Sequence, residues 1–533
     1  MNAQPTLEGP RSPSVETPTP RKDLRSIYAT APSEQTSTFC ATNSPALNNV
    51  PVEIWQHIFH LCYRSEHVPE LDELSGPIWG RTTPPPAFRG RPVLPRTPSM
   101  LSQVCSRWRD VAFGMAELWN VLYAKTARID VNHDQTARET RTENRAKLVA
   151  SRVSLARNVP LKICVNAKDD LQGAKFLIRA ILPFSRRWET LHILAPGDAL
   201  REFSCLKPED VPLLSSFKTY EQTYNVGILS SSPPPNCDRF QLCNIAPSLR
   251  QLCTSILPTV SAVGFCGNLH ELNLQQSPSE TWSILHVLSF CRQLRVLTLS
   301  GYGVTMDHPS PHYPAVELSE LITLNLEHPV GRERLLQMLV LPKLAELKLL
   351  GKCDGASPQT VLHEIKELTK RSEVTSLERF SVDFDSHGLQ AEDLIDFLAC
   401  QPLLRAFRIA ETPWNPFRYS RPLITSRLVS ALSEVRDQKK YRSSADERSG
   451  NGSRLRLCPS LQRLSLIGCS ECLDEDLITF LKRRLPLEHG AARPSLPRLV
   501  AVEMSMKRAT SRELQDVVEK LQQNGLQIQV HRA

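Results

Sequence analysis

Leu269-His270-Glu271-Leu272-Asn273-Leu274 is the first clear copy of a unit, apolar-x-x-apolar-x-apolar, that decides how this chain folds. It returns as Leu294-Arg295-Val296-Leu297-Thr298-Leu299, Leu321-Ile322-Thr323-Leu324-Asn325-Leu326, Leu344-Ala345-Glu346-Leu347-Lys348-Leu349 and Leu461-Gln462-Arg463-Leu464-Ser465-Leu466. Weaker copies start at Trp188, Leu249, Leu377, Leu404 and Leu499. From 269 the starts fall at 294, 321, 344, 377 and 404, intervals of 25, 27, 23, 33 and 27 residues. Alternating apolar positions predict a short strand with one buried face, and each interval leaves room for one helix on the return path. Thr281 to Phe290, Glu333 to Val340 and Leu394 to Ala399 are read as such helices. Units of this kind stack into a solenoid, with a parallel sheet on its concave side and helices outside.

The unit and its spacing resemble leucine-rich repeats, which run at about 20 to 29 residues. Cys458-Pro459-Ser460-Leu461, continuing to Cys469 and then to Leu473-Asp474-Glu475-Asp476-Leu477-Ile478, is similar to the cysteine-containing repeats of many F-box proteins. That resemblance implies cysteines that fill the turns of the solenoid. Ser511 to Gln522 reads as a last helix, Gly525 as its stop and Leu526-Gln527-Ile528-Gln529-Val530 as a closing strand. The predicted fold class is α/β, a small helical module followed by a leucine-rich-repeat solenoid.

The helical module is read from two segments upstream. In Val50-Pro51-Val52-Glu53-Ile54-Trp55-Gln56-His57-Ile58-Phe59, Pro51 suits a first helical turn, with Asn48 or Asn49 available to cap it. Ile54, Trp55, Ile58, Phe59 and Cys62 then fall on one stripe. Between Leu101 and Ala112, a single helix would put Leu101, Val104, Cys105, Trp108, Val111 and Ala112 on one face. These segments, with Leu118-Trp119 after them, resemble the F-box, in particular the fungal F-box-like domain family, although Val50 stands where that family has Leu. The resemblance implies docking on the Skp adaptor of a cullin-RING ubiquitin ligase, with Pro51, Ile54, Ile58, Phe59, Val104 and Trp108 as the adaptor contacts.

Composition sets the rest. At 533 residues the chain exceeds one compact core. Residues 1–47 are rich in Pro, Ser and Thr and read as a disordered tail carrying Ser12-Pro13, Thr17-Pro18, Thr19-Pro20 and Ser44-Pro45. Residues 48–124 are the expected F-box-like domain, with a Pro-rich insertion at 64–98. Closing such a loop costs only about 0.6 kcal/mol per doubling of its length, so the flanking helices can still meet. A linker helix at 125–157 and the repeat domain at 158–533, interrupted by a polar loop at 438–454, complete the expected organisation. There is no run of about 18 apolar residues and no hydrophobic signal core, so an intracellular location, cytoplasm or nucleus, is expected with no membrane contact.

The net charge of +8 is small for this length and does not by itself point to nucleic acid. Fifteen cysteines sit mostly beside apolar patterns, as in Leu242-Cys243 and Phe265-Cys266, and read as reduced small hydrophobes. The one C-x-x-C, Cys469 to Cys472, lacks a second pair at zinc-finger distance, so no metal is expected. No nucleophile elbow, phosphate loop or dinucleotide fingerprint occurs, and His363-Glu364-Ile365-Lys366-Glu367 lacks the second His of a zinc protease helix. A non-catalytic adaptor without a cofactor is therefore expected.

Residues that alternate with the buried ones should form the concave face. Among them Glu271, Asn273, Thr298, Asn325, Glu346, Lys348, Arg379, Arg408 and Arg463 are the candidate target-binding residues, acidic in the middle and basic toward the C-terminal units. Thr190 and His192 belong to the same set. Few aromatics interleave with these bases, which favours a protein target over nucleic acid. The function implied is that of the substrate-recognition subunit of a Skp-cullin-F-box ligase in ubiquitin-dependent protein degradation. The alternative is a leucine-rich-repeat scaffold uncoupled from ubiquitination.

Overall fold

The computed structural model describes residues 49–65, 97–126, 135–167, 170–221, 242–254, 266–275, 281–300, 314–327, 332–352, 358–373, 377–385, 389–411, 422–433, 435–436, 454–455, 457–484 and 499–532. The expected tail at 1–47 with its Ser-Pro and Thr-Pro sites, nearly all of the insertion at 64–98, and the polar loop at 438–454 except Arg454 lie outside the described residues. The chain forms two compact units, Met1–Trp55 and Gln56–Ala533.

The Pro51 carbonyl accepts from the N–H groups of Ile54 at 3.2 Å and Trp55 at 3.4 Å, opening a helix, Val52–Ser65, of which the residues up to Trp55 belong to the first unit. Pro51 thus precedes the helix rather than lying in its first turn. Trp55 is buried, whereas Val52 and Ile54 are exposed.

The second unit is α/β. Its first elements correct the reading of 101–112 as one helix. The backbone breaks at Cys105, giving helices Thr97–Val104 and Ser106–Gly114. Cys105 is extended, and its Sγ accepts from Trp108 N–H at 3.4 Å, satisfying one of the orphan donors of the second helix. The break rotates Val104 away from the expected stripe, leaving it 57% exposed while Leu101, Val111 and Ala112 are buried. A single 3-10 turn, Ala116–Trp119, follows, and Trp119 Nε1 donates to the Ala112 carbonyl at 2.8 Å. The Trp119 ring lies 5.5 Å from Phe113, and the Arg152 guanidinium sits 5.5 Å from its centre.

Among the described residues fourteen strands make one sheet whose spatial order is the order of the chain, and every pairing between neighbours is parallel. The sheet starts at Val121–Lys125, upstream of the boundary expected at 158, and ends at Gln527–Arg532. The helix Gln135–Leu155, expected as a linker, packs along Leu171–Ile181 as the first outer helix. All five weaker copies of the unit became strands: Trp188–Ala195, Gln251–Thr254, Arg379–Asp385, Ala406–Ala410 and Ala501–Met506. Three strands of this sheet have no counterpart in the repeat pattern: Val121–Lys125, Leu161–Asn166 and Ser216–Glu221.

The regularity extends to single hydrogen bonds. Paired N–H groups of Arg295 and Val296 converge on the His270 carbonyl, those of Ile322 and Thr323 on Arg295, and those of Ala345 and Glu346 on Ile322. The same step recurs through Ala345, Glu378 and Arg405 to Gln462. Before each of seven strands a tight turn closes on the first Leu of the unit, for example Leu294 N–H to Cys291 and Leu461 N–H to Cys458. The turn opens on a buried residue, Ala246, Cys266, Cys291, Leu318, Leu341, Gln401 or Cys458. In four of these turns Pro follows, which suits the fixed φ of the second turn position.

Helices fill the return paths at Thr281–Phe290, Pro358–Arg371, Ala391–Ala399, Ser426–Ser433, Asp474–Arg484 and Arg512–Gln523. The expected helix 333–340 is shorter. It ends at Gln337, and Leu339–Val340 instead pairs in parallel with Val316–Glu317. Helix ends are tied by arginine across repeats. Arg371, the last residue of its helix, donates to the carbonyls of Leu336 at 2.6 Å and Leu339 at 3.2 Å. Arg187 does the same to Val159 at 3.1 Å, and its Nη1 reaches Val153 at 3.5 Å. Arg484, buried, reaches Leu432 and Leu457 at 2.8 Å and Cys458 at 3.1 Å. Each guanidinium meets carbonyls at a helix end or in a turn of the preceding repeat, some of which, such as Val153 and Cys458, it shares with a backbone N–H.

Candidate functional site

Two surfaces carry the residues singled out by sequence. The first is helical. Pro51 and Ile54 belong to the unit ending at Trp55, where both are exposed. Ile58, Phe59, Val104 and Trp108 belong to the second unit. There the rings of Phe59 and Trp108 meet edge to face at 5.1 Å, so the two segments flanking the 66–96 stretch share one packed contact. Phe59 is fully buried, and Ile58 and Trp108 are half-buried. Beyond that contact lies apolar surface in solvent: Leu61 at 53%, Met100 at 61% and Val104 at 57% exposure. Met100 and Val104 are four apart on one helix and therefore neighbours on its surface. Met100 and Leu61 were not singled out from sequence. The i, i+4 relation to Val104 was the available signal for Met100, masked by assuming one helix through Cys105.

The second surface is the sheet face bearing the alternating polar residues. Parallel pairing sets Glu271, Val296, Thr323, Glu346, Arg379, Ala406, Arg463, Ala501 and Gln527 in one row across the strands. A second row, two residues on, contains Asn273, Thr298, Asn325, Lys348, Ser381, Arg408, Ser465 and Glu503. All nine candidate residues thus lie in two adjacent rows. Their N-terminal continuation differs. His192, in register with Cys164 and Lys218, is only 3% exposed, so this end of the face is not the open surface that sequence predicted. Burial there pushes the Cys164 thiol up to about 12 and, helped by the Cys164 charge, the Tyr123 phenol to about 12.

In the middle of the sheet Asn325 Nδ2 donates to Thr298 Oγ1 at 3.0 Å. Toward the C-terminus the face sinks into a groove of about 470 Å³, bringing together Glu346, Lys348, Arg379, Arg408 and Arg463. Glu271, Asn273, Thr298 and Asn325 lie outside it. Glu346 pairs with Lys348 at 2.8 Å and Arg379 at 3.4 Å. Glu503 accepts from Ser465 Oγ at 2.7 Å and lies 3.7 Å from Arg408. Ala406 and Ala501, which flank Arg463 in its row, keep the floor low. The small residues and Glu503 were not foreseen, because their places beside Arg463 and Ser465 depend on strand pairing across intervals the repeat does not make constant. The adjacent phenylalanines, Phe380 and Phe407, are buried, and the Phe380 ring lies 4.7 Å from that of Phe397 on helix Ala391–Ala399.

Cys469 and Cys472 are buried, and a hydrogen bond between the two thiols pushes the Cys472 pKa up. Among the described residues no group of three or more His, Cys, Asp or Glu could hold a metal ion, and no helix is long and apolar enough to cross a membrane. In comparison with known proteins, no family model and no curated protein matches this chain.

Proposed function

We propose that the chain is an F-box protein with C-terminal leucine-rich repeats, the substrate-recognition subunit of a Skp-cullin-F-box ubiquitin ligase. The observation that supports this best is the Phe59–Trp108 contact, which joins the two motif segments while Leu61, Met100 and Val104 stay in solvent. Three large apolar side chains left exposed in one small module are what a docking helix pair presents. The sequential parallel sheet, with its polar rows and C-terminal groove, is the target-binding part. Its work is positioning: the helical module holds the chain on the Skp adaptor and cullin, and the repeats raise the effective concentration of a protein target near the ubiquitin-charged enzyme. This role needs no catalytic residue, cofactor or metal of its own. It is exercised in the cytoplasm or nucleus. Nucleic acid is a poor fit to the groove, because the phenylalanines beside its bases are buried and cannot stack a base.

Co-purification of the full chain with the Skp adaptor and cullin tests the proposal. Trp108→Ala removes an anchor worth on the order of 2 kcal/mol or more of binding but also strips the Phe59 contact. Val104→Asp is the cleaner variant, since that side chain is 57% exposed. Wild type should bring down the adaptor, and Val104→Asp and Ile54→Asp should lose it. Failure of wild type to do so overturns the ligase reading. The packing of Trp119 between Phe113 and Arg152 favours a second reading, a repeat scaffold whose helices mainly brace their own domain. That scaffold would leave adaptor binding absent and the variants without effect.

A further inference from the structure

Arg463 differs from the other bases of the groove. Lys348 and Arg379 share Glu346, and Arg408 faces Glu503. Among the described residues the Arg463 guanidinium has no ion-pair or hydrogen-bond partner, and its row neighbours on both sides are alanines. Four bases against two carboxylates leave the groove with two positive charges in excess. Adjacent strands are about 4.8 Å apart, so Arg379 and Arg463, separated by the Ala406 strand, stand about 10 Å apart in one row. A polyproline-type segment returns to the same side every third residue after about 9 Å.

We propose that this groove takes an acidic, extended segment of a protein partner, with one Glu carboxylate on Arg463 and another three residues away on Arg379. The segment lies across the strands over Ala406. The inference rests on reading this sheet face as the target-binding surface. Arg463 is the anchor, because it gives up no internal partner on binding, whereas Arg379 exchanges part of its pairing with Glu346. A guanidinium offers a planar fork that fits a carboxylate in two-point fashion.

Fluorescence anisotropy of the full chain with a fluorescein-labelled peptide containing Glu-Pro-Pro-Glu tests this, against the Gln-Pro-Pro-Gln and phosphoserine-Pro-Pro-phosphoserine counterparts. The Glu peptide should bind at least about tenfold more tightly than the Gln peptide, with affinity falling as salt rises. Arg463→Gln should lose about tenfold, and Ala406→Leu, which raises the floor, should lose binding with Arg463 intact. Arg292→Gln, an exposed arginine outside the groove, should change nothing. Circular dichroism establishes that Arg463→Gln is folded. Equal binding of Glu and Gln peptides, or unaltered binding by folded Arg463→Gln, overturns the proposal; so does binding of the phosphorylated peptide alone. Peptide binding is read without the adaptor, so its failure beside intact adaptor co-purification removes the groove assignment and leaves the ligase reading standing.

Discussion

Replacing Arg484 with Ala should cost about 3 kcal/mol of stability. Arg484 is 7% exposed, and its four hydrogen bonds serve three carbonyls, those of Leu432, Leu457 and Cys458. Burial pushes its pKa from 12.5 down to about 10, which corresponds to about 3 kcal/mol against the charged form. Losing the side chain recovers that penalty but leaves the Leu432 and Leu457 carbonyls buried without its donors and takes a charge-assisted bond from the Cys458 carbonyl, which keeps the Leu461 N–H. At about 2 kcal/mol for each of the two carbonyls and about 2 kcal/mol for the charge-assisted bond, the loss is about 6 kcal/mol, so about 3 kcal/mol net remains. Loss of the stack on Phe480, 5.9 Å away, adds to it. Arg484→Lys keeps a charge but cannot span three carbonyls and should fall between wild type and Ala. Urea unfolding followed by circular dichroism measures the difference, and amide exchange should show weakened protection in helix Ser426–Ser433, whose end Arg484 holds. If Arg484→Ala unfolds within about 0.5 kcal/mol of wild type, well below the carbonyl cost, the idea that arginines staple adjacent repeats is refuted.

Two further perturbations follow from the same packing. Gly468 sits at φ +83° in the irregularity between Ile467 and Cys469, and a Cβ there would run into the Glu411 carbonyl oxygen. Gly468→Ala should therefore lose about 2 kcal/mol or more, read as a lower melting temperature, and an unchanged melting temperature would contradict the assigned backbone. Asp474 is opposed by burial, but hydrogen bonds from Ser511 and Arg508 outweigh it and hold its pKa below the usual 3.8. A depressed carboxylate contributes stability that is full above its unfolded pKa and is lost as pH falls through the folded value. The tie between helices Asp474–Arg484 and Arg512–Gln523 should thus weaken below about pH 4, and Asp474→Asn should flatten that part of the stability profile.

The repeat was legible because its strands bury one face. Leu272, Leu297, Leu324 and Leu347 occupy successive register positions and are all buried, so two-residue alternation survived in the sequence. Strands such as Leu161–Asn166 and Ser216–Glu221 escaped because their outward positions are also covered. Cys164 and Ser216, at outward positions, are buried, Thr219 puts a polar residue on the inward face beside Phe217, and a strand covered on both faces shows no alternation. The C-terminal cap was read closely: Ser511 accepts from Leu514 N–H as the N-cap, and Gly525 adopts φ +86°. In the helical module, apolar content was visible but its direction was not. One extended residue, Cys105, turned Val104 from a stripe residue into an exposed one. Except for Glu503, the charged residues of the groove were among those read from the alternation, but its floor was not, since Ala406 and Ala501 acquire meaning only as neighbours of Arg463, 57 and 38 residues away.

The sequential strand order also bears on how the chain acquires its structure. Each strand of the large sheet pairs only with the one before it and the one after it, so contact distance along the sequence is set by the length of a repeat and not by the 533 residues of the chain. Loop-closure entropy is then met in small instalments, and pairing can begin at the Val121–Lys125 end while later repeats are still being synthesised. The last strand, Gln527–Arg532, has one sheet neighbour, and its helix is anchored through Ser511 to Asp474. A ribosome-bound chain stalled before Ala501 should therefore already protect its upstream repeats from proteolysis, while exposing the edge of Arg463–Cys469 that Ala501–Met506 later covers.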